Sequence, residues 1–291
     1  MLTLTDISYT YPNGTQALHC LNLNFKPGQI TAIVGHNGSG KSTLGNIIAQ
    51  IFTQQQGTLI CDHLPITKKI PILAVRQRLG IVFQNPDYQI IFNRVEDDLT
   101  FTLENFKIPP SEIPSRITQS LHQVDLAHHL HSDPHQLSLG EKQRLAIANA
   151  LATSPRYLVL DEVTSMLDAE GKQTIYQLLP QLTEKNIGVI FITNDLEETL
   201  YADQIHILHG GRLHKSFSKS TLPKHLSAFT ELGFHLPFSL QLLDSLPKQA
   251  LTEITDLTPS NLLQLVKNTL KKSNVANTVS SSATSVGVTS P

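Results

Sequence analysis

The stretch GHNGSGKST, running from Gly35 to Thr43, constrains this chain more than any other. It matches the pattern G-x-x-x-x-G-K-[ST], with the apolar run QITAIVG before it and TLGNIIAQI after it,. A strand that feeds a glycine-rich turn and then a helix commits the chain to an α/β fold, in which helices cover a mostly parallel sheet. Gly35, Gly38 and Gly40 let the backbone curl so that successive N–H groups face inward,. The start of the following helix adds a positive field. With His36, Asn37 and Ser39 between the glycines and Lys41, Ser42 and Thr43 closing the turn, the loop suits a polyphosphate,. Lys41 reaches the β- and γ-phosphates, and Ser42 offers its hydroxyl to magnesium,.

YLVLDE, residues 157–162, supplies the partner strand. Asp161 at its end is placed to hold magnesium, directly or through water, and Glu162 to polarise an attacking water as general base,. Alone, an acidic pair at a strand end is an ordinary cap; the cradle upstream gives this one its chemical meaning. FITNDLEETL, residues 191–200, is another apolar strand that stops on polar residues, here Asn194 and Asp195,.

The remaining periodicity fits the same frame. LTLTDISYTY and ALHCLNLNF alternate as two antiparallel strands joined at YPNGT,. GTLICD and RLGIVF read as strands, the second ending at Gln84. Residues 86–150 hold polar helices broken by IPPSEIP and SDPHQ, an inserted helical subdomain,. IGVIFIT is a buried strand after the helix GKQTIYQLLPQLTEK, and DQIHILHGGRLHKS is a hairpin. The expected domain covers 1–227, a helical extension 228–270, and a disordered tail 271–291, SNVANTVSSSATSVGVTSP with its flanks,.

Composition excludes several classes. A net charge of −2 leaves no basic footprint for nucleic acid and no broad cationic face for anionic lipid,. The two cysteines, Cys20 and Cys61, make no disulfide framework and read as small buried side chains in a reducing compartment,. The N-terminus lacks the positive start and apolar run of a signal peptide,. The apolar runs are far shorter than the ~20 residues needed to cross a bilayer, so any membrane role is expected through a partner.

LSLGEKQRLAIANALATSPRYLVLDEVTSMLD, residues 137–168, resembles the signature region of ABC ATPases, and the likeness extends from the N-terminus to about residue 225. The resemblance implies an ABC-type nucleotide-binding domain with a RecA-like core, an antiparallel β subdomain and a helical subdomain. It implies that Tyr11 stacks on adenine, that Gln84 links the γ-phosphate and its magnesium to the helical subdomain, and that Asp168 lies near a dimer seam. Two such domains would face each other head to tail. Each ATP would lie between one chain's cradle and the other's signature helix, where Ser138 and Gly140 offer a hydroxyl and a backbone N–H.

VFQNPDYQI, VEDDLTFTLEN, DEVTSMLDAEG and LGFHLPFSLQLLDSL are further similar to the ATPase subunits of energy-coupling-factor importers. That likeness implies ATP and magnesium, a sibling ATPase, a transmembrane coupling subunit and a small membrane protein that captures a vitamin or metal ion. The chain would sit on the cytoplasmic face of the cell membrane through those partners. The stretch QNPDYQ is either a plain turn or part of the groove that receives the coupling subunit's helix. A conventional ABC importer would lack the DDLTFTLEN and LGFHLPF stretches. A soluble ABC ATPase of translation or DNA repair would carry fused domains or a long coiled coil.

Two positions depart from the family. Asn194 stands where the family has a histidine that contacts the γ-phosphate, and an amide cannot carry a positive charge,. Leu139 stands where the family has the first of two glycines; it is costly if the position needs a left-handed backbone or a close approach to phosphate, and tolerated if the backbone is ordinary helix,. Asn194 therefore keeps open a regulatory subunit that binds ATP and hydrolyses it weakly or not at all, while Glu162 argues for hydrolysis. His128, His129, His131 and His135 read as solvated polar residues at helix ends rather than as a metal site,.

Overall fold

The computed structural model describes residues 1–67, 69–245 and 261. Its backbone divides into two compact units, Met1–Lys219 and Ser220–Pro291, so the expected boundary at residue 227 falls inside the second. The expected tail lies outside the described residues, as does most of the expected extension beyond residue 245.

In the first unit, β1 (Leu2–Thr10) and β2 (Gln16–Phe25) form an antiparallel hairpin. β3 (Ile30–Val34) enters the cradle and α1 (Lys41–Ile48) leaves it. Then come β4 (Gln56–Cys61), β5 (Leu64–Ile66), α2 (Ile72–Arg76) and β6 (Leu79–Val82). The helical insertion carries α3 (Val95–Asn105), α4 (Ile113–Gln123) and α5 (Leu139–Ala152). β7 (Tyr157–Asp161), α6 (Ala169–Glu184) and β8 (Gly188–Thr193) return to the sheet, and β9 (Gln204–His209) and β10 (Arg212–Ser218) close it as a hairpin.

One sheet has four strands in the order β2-β1-β4-β5, and the other six in the order β10-β9-β3-β8-β7-β6. β3 lies between β8 and β9 and pairs parallel with both, and β7 pairs parallel with β8 and β6. Every residue of β3, β7 and β8 is buried, which is why these strands read as unbroken apolar runs rather than alternating ones,. Leu44, Ile47 and Ile48 of α1 share one cluster with Leu2, Ile7, Leu18 and Phe25 of the first sheet and Ile33, Tyr157, Ile190 and Ile192 of the second. Each fully buried Leu or Ile contributes roughly 1.5–3 kcal/mol. The core therefore fixes the helix whose first turn completes the cradle.

Cys61 is buried, and burial pushes its thiol up to about 11. Cys20 is exposed, contrary to the expectation of two buried cysteines, because the irregular β1–β2 register turns it outward at φ +48°. In the second unit, α7 (Ser227–Thr230) carries a buried Phe229, which meets Phe234 edge to face at 6.2 Å, and α8 (Phe238–Ser245) follows. Among the described residues, no helix is long and apolar enough to cross a membrane.

Candidate functional site

The cradle turns on Gly40, which caps α1 at φ +100°. A Cβ there would sit 2.6 Å from the Ala17 carbonyl oxygen, so only glycine fits both the conformation and the space,. The Ser39 N–H donates to the His36 carbonyl at 3.1 Å, and the Ser39 carbonyl accepts from Gly211 N–H at 3.1 Å. The buried Ser39 hydroxyl has no partner among the described residues. His36, Asn37 and Gly38 form the exposed crown. Lys41 is buried, with its Nζ donating to the carbonyls of Gly35 at 2.7 Å and His36 at 3.2 Å. Glu162 Oε1 lies 3.6 Å from the same nitrogen. Burial pulls the Lys41 ammonium below its ordinary pKa, against the charges of Glu162 and Asp161. Tyr11 is tied to the cradle through its hydroxyl, 2.8 Å from Thr43 Oγ1, and packs in an aromatic group with Tyr9 and Phe52.

Opposite stands the end of β7. The Ser42 hydroxyl donates to Asp161 Oδ1 at 3.1 Å. Burial pushes the Asp161 carboxyl up to about 6; the Ser42 bond and Lys41 oppose the rise, and Glu162 adds to it. A cation ligand sits naturally in such a place, since a divalent ion would repay the burial of the charge. Glu162 adopts φ +51°, a left-handed backbone held by its N–H to the Ile192 carbonyl at 2.9 Å,. Its own carbonyl accepts from Ser165 Oγ at 2.7 Å, and Gln84 Nε2 donates to that Ser165 oxygen at 3.0 Å. Ser42 and Asp161 thus meet directly, whereas Gln84 reaches the site through Ser165 and the main chain of Glu162. The hydroxyl and carboxylate oxygens that meet here, of Ser42 and Asp161, are hard donors of the kind magnesium takes,.

Asn194 is exposed, and its side chain makes no hydrogen bond among the described residues. Its neighbour is firmly held: Asp195 caps the helical turn Leu196–Tyr201 and accepts from Lys172 Nζ at 2.9 Å. Fully buried Glu198 accepts from Tyr176 at 2.8 Å and from Thr164 Oγ1. Burial raises its carboxyl above the ordinary value, and these hydroxyls oppose the rise. Sequence reasoning missed Lys172, Tyr176, Thr164 and Ser165; the acidic run DLEE was the only sign that something would have to neutralise or bury it.

At the signature, Ser138 is the cap of α5 and Glu141 the reciprocal partner of a capping box,. The Ser138 N–H and hydroxyl donate to Glu141 Oε2 at 2.8 and 2.7 Å. Leu139 opens the helix outside the left-handed region, so the leucine is accommodated without strain. Gly140 follows within the same turn, and Asp168 caps α6 through the Gly171 N–H at 2.8 Å. Among the histidines, His129 lies 3.3 Å from Glu141, and His131 lies 3.1 Å from Glu96. In the Gln84 stretch, Asp87 pairs with Lys142 of α5 at 2.9 Å. Gln89 lines a groove of about 310 Å³ with Ile51, Arg76 and Phe106. Tyr88 and Ile91 are exposed large side chains in this part of the chain.

Residues 18–165 match the family model described as ABC transporter. The energy-coupling factor transporter ATP-binding protein EcfA1 of Staphylococcus epidermidis is 38% identical over 244 residues, covering 83% of this chain and 90% of the relative. The Bacillus subtilis protein of the same name is 35% identical over 268 residues, covering 91% and 95%. CbiO1 from Clostridium perfringens, described as part of the ABC transporter complex cbiONQ, has a TM-score of 0.71 at 33% identity, covering 84% of this chain and 98% of that one. An ATP-binding cassette solved as a dimer in a post-hydrolysis state with ADP and Pi has a TM-score of 0.67 at 28% identity, covering 75% and 99%. The fold, the phosphate-cradle geometry and these relatives agree, and the chain belongs to the ABC transporter family of ATPases, among the ATP-binding proteins of energy-coupling-factor transporters.

Proposed function

We propose that this chain hydrolyses ATP as one half of a head-to-tail pair with a sibling ATPase, and thereby drives an energy-coupling-factor importer of a vitamin or metal ion. The observation that carries the reading is the meeting of Lys41 and Ser42, in the first turn of α1, with Asp161 and Glu162 at the end of β7. Lys41 exchanges its carbonyl partners for the β- and γ-phosphates. Glu162, held by Ile192 and Ser165, takes the proton of the attacking water,. Ser42 and Asp161 would hold magnesium, with the amide oxygen of Gln84 completing the set. When bound, the ion neutralises charge on the β- and γ-phosphate oxygens. Tyr11 faces the adenine, and Ser138 and Gly140 serve the partner's ATP. Asn194 donates a hydrogen bond but no positive charge, so it stabilises the transition state less than a histidine would.

The names of the Staphylococcus and Bacillus relatives support the transporter assignment over a conventional importer. The Gln84–Ile91 stretch, with Tyr88 and Ile91 exposed and Asp87 bonded to α5, suits a helix of a transmembrane coupling subunit. A second membrane protein would capture the substrate, and the chain would sit peripherally on the cytoplasmic face. A weakly hydrolysing regulatory subunit is the second reading, favoured by the unbonded Asn194.

Lys41→Ala tests the site. Magnesium-ATP affinity is expected to fall by on the order of 100-fold in titrations of folded protein, because a charge-assisted phosphate contact is lost. Equal affinity would remove the cradle from the mechanism. Co-purification with co-expressed chromosomal neighbours tests the assembly, with a sibling ATPase and a membrane subunit expected; neither appearing would defeat the importer reading.

A further inference from the structure

Lys172 lies in the first turn of α6 and donates to Asp195 Oδ2 at 2.9 Å, with the two side chains 29% and 33% exposed. One turn on, the Tyr176 hydroxyl donates to Glu198 Oε1 at 2.8 Å. Residues four apart share a helix face, so one face of α6 grips the Asp195–Glu198 turn at two points. Glu198 also accepts from Thr164, which follows Glu162 closely in the chain. Asn194 makes no side-chain bond of its own. It stands between the end of β8 and Asp195, which bonds to Thr193 on one side and to Lys172 of α6 on the other.

The same end of α6 borders the signature. Asp168 fixes its first turn through the Gly171 N–H. A Cβ on Gly140 would lie 3.9 Å from the Gly171 Cα. Asp168, Gly171 and Thr174 line a groove of about 480 Å³ with Leu139, Gly140 and Arg144. One short helical segment therefore meets the turn beside this chain's own γ-phosphate site and the surface assigned to the partner's ATP.

We infer that Lys172 is a positioning residue that couples the two ATP sites of the dimer: by holding the Asn194 turn to α6, it passes the state of this chain's own phosphate site to its Ser138–Gly140 face. The inference rests on the head-to-tail pairing proposed above. Coupling of this kind needs a contiguous element that both sites bias, and α6 with its Lys172–Asp195 tie is such an element.

The test uses the mixed dimer with the sibling ATPase in two forms. In one, Glu162→Gln silences this chain's cradle and leaves the site that uses its Ser138–Gly140 face. In the other, the sibling's catalytic glutamate is neutralised. Lys172→Met is expected to lower kcat about 10-fold in both forms with KM for ATP unchanged, and Lys172→Arg to restore both. Slowing confined to this chain's own cradle, or no slowing, overturns the inference. If Lys172→Met does not fold, Asp195→Asn takes its place with the same expectations. Hydrogen exchange on the isolated Glu162→Gln chain separates this inference from the pairing. Magnesium-ATP should slow exchange of amides 139–144 in that chain and not after Lys172→Met. An equal response in both overturns the coupling, whether or not a dimer forms. Failure of the parent to form an ATP-bound dimer by mass measurement overturns the pairing alone.

Discussion

The cradle and the Asn194 turn stand at the ends of neighbouring parallel strands, β3 and β8, yet they are held by different means. The turn of the cradle is set mostly by main-chain groups of its own loop, with Lys41 bonded to Gly35 and His36, and is tied outward at Ser39 by the Gly211 N–H. The Asn194 turn is held by side chains from a distant helix, Lys172 to Asp195 and Tyr176 to Glu198. Phosphate binding is thus encoded locally, and hydrolytic geometry is spread across the fold. On the function proposed above, a substitution such as Asn194 would retune the second while leaving the first intact.

Four substitutions break or sharpen this contrast. Glu162→Gln carries the largest effect: phosphate release should fall roughly 10²- to 10⁴-fold, the range for losing a general base, while equilibrium ATP binding holds. A parallel loss of binding would mean that cradle and catalytic turn are not separable. Asn194→His comes next. It should raise hydrolysis at this chain's cradle by up to ~100-fold with little change in ATP affinity, because the restored donor acts mainly as charge builds on the γ-phosphate. The mixed dimer with the sibling's catalytic glutamate neutralised is the place to measure it; an unchanged rate would show that the asparagine already meets the needs of the site.

Tyr176→Phe removes one donor from the buried Glu198. Denaturant titration should show a loss of about 1–3 kcal/mol, the cost of leaving a buried acceptor short of a partner. No loss would mean that the turn does not depend on α6. Leu139→Gly is the smallest. Because Leu139 sits in ordinary helix, glycine should cost at most about 1 kcal/mol of stability and give no gain in hydrolysis. A large gain in rate would show that the leucine obstructs the partner's nucleotide after all.

The same division decides what could be read from sequence. The cradle, the β7 acids and the buried parallel strands were legible because each is a local pattern: spaced glycines, an acidic pair after apolar residues, an unbroken apolar run. The three-residue β5 and five-residue α2 are too short for a period to show. Strand order was not legible, since β3 meets β8 and β9 only after the whole chain has folded. Leu139 was undecidable until its backbone was seen. No local pattern marks Lys172, because its partner Asp195 lies in another element. Gln84, expected to link the γ-phosphate and its magnesium to the helical subdomain, donates to Ser165, a serine that no local pattern marked.

The Gly211 main chain has a thermodynamic consequence. Its N–H donates to Ser39 in the cradle, and its carbonyl accepts from His19 of β2 at 2.9 Å, so β2, the β9–β10 turn and the phosphate loop are stitched at one residue. Nucleotide held by that loop is thereby linked to both sheets rather than to a detachable surface feature. Ligand occupancy and unfolding then form a single equilibrium. At a nucleotide concentration of about 100 times Kd, linkage alone adds ~2.7 kcal/mol to the stability of the folded unit. The melting temperature of this chain is therefore a function of nucleotide concentration, and comparisons between its variants have meaning only at matched saturation.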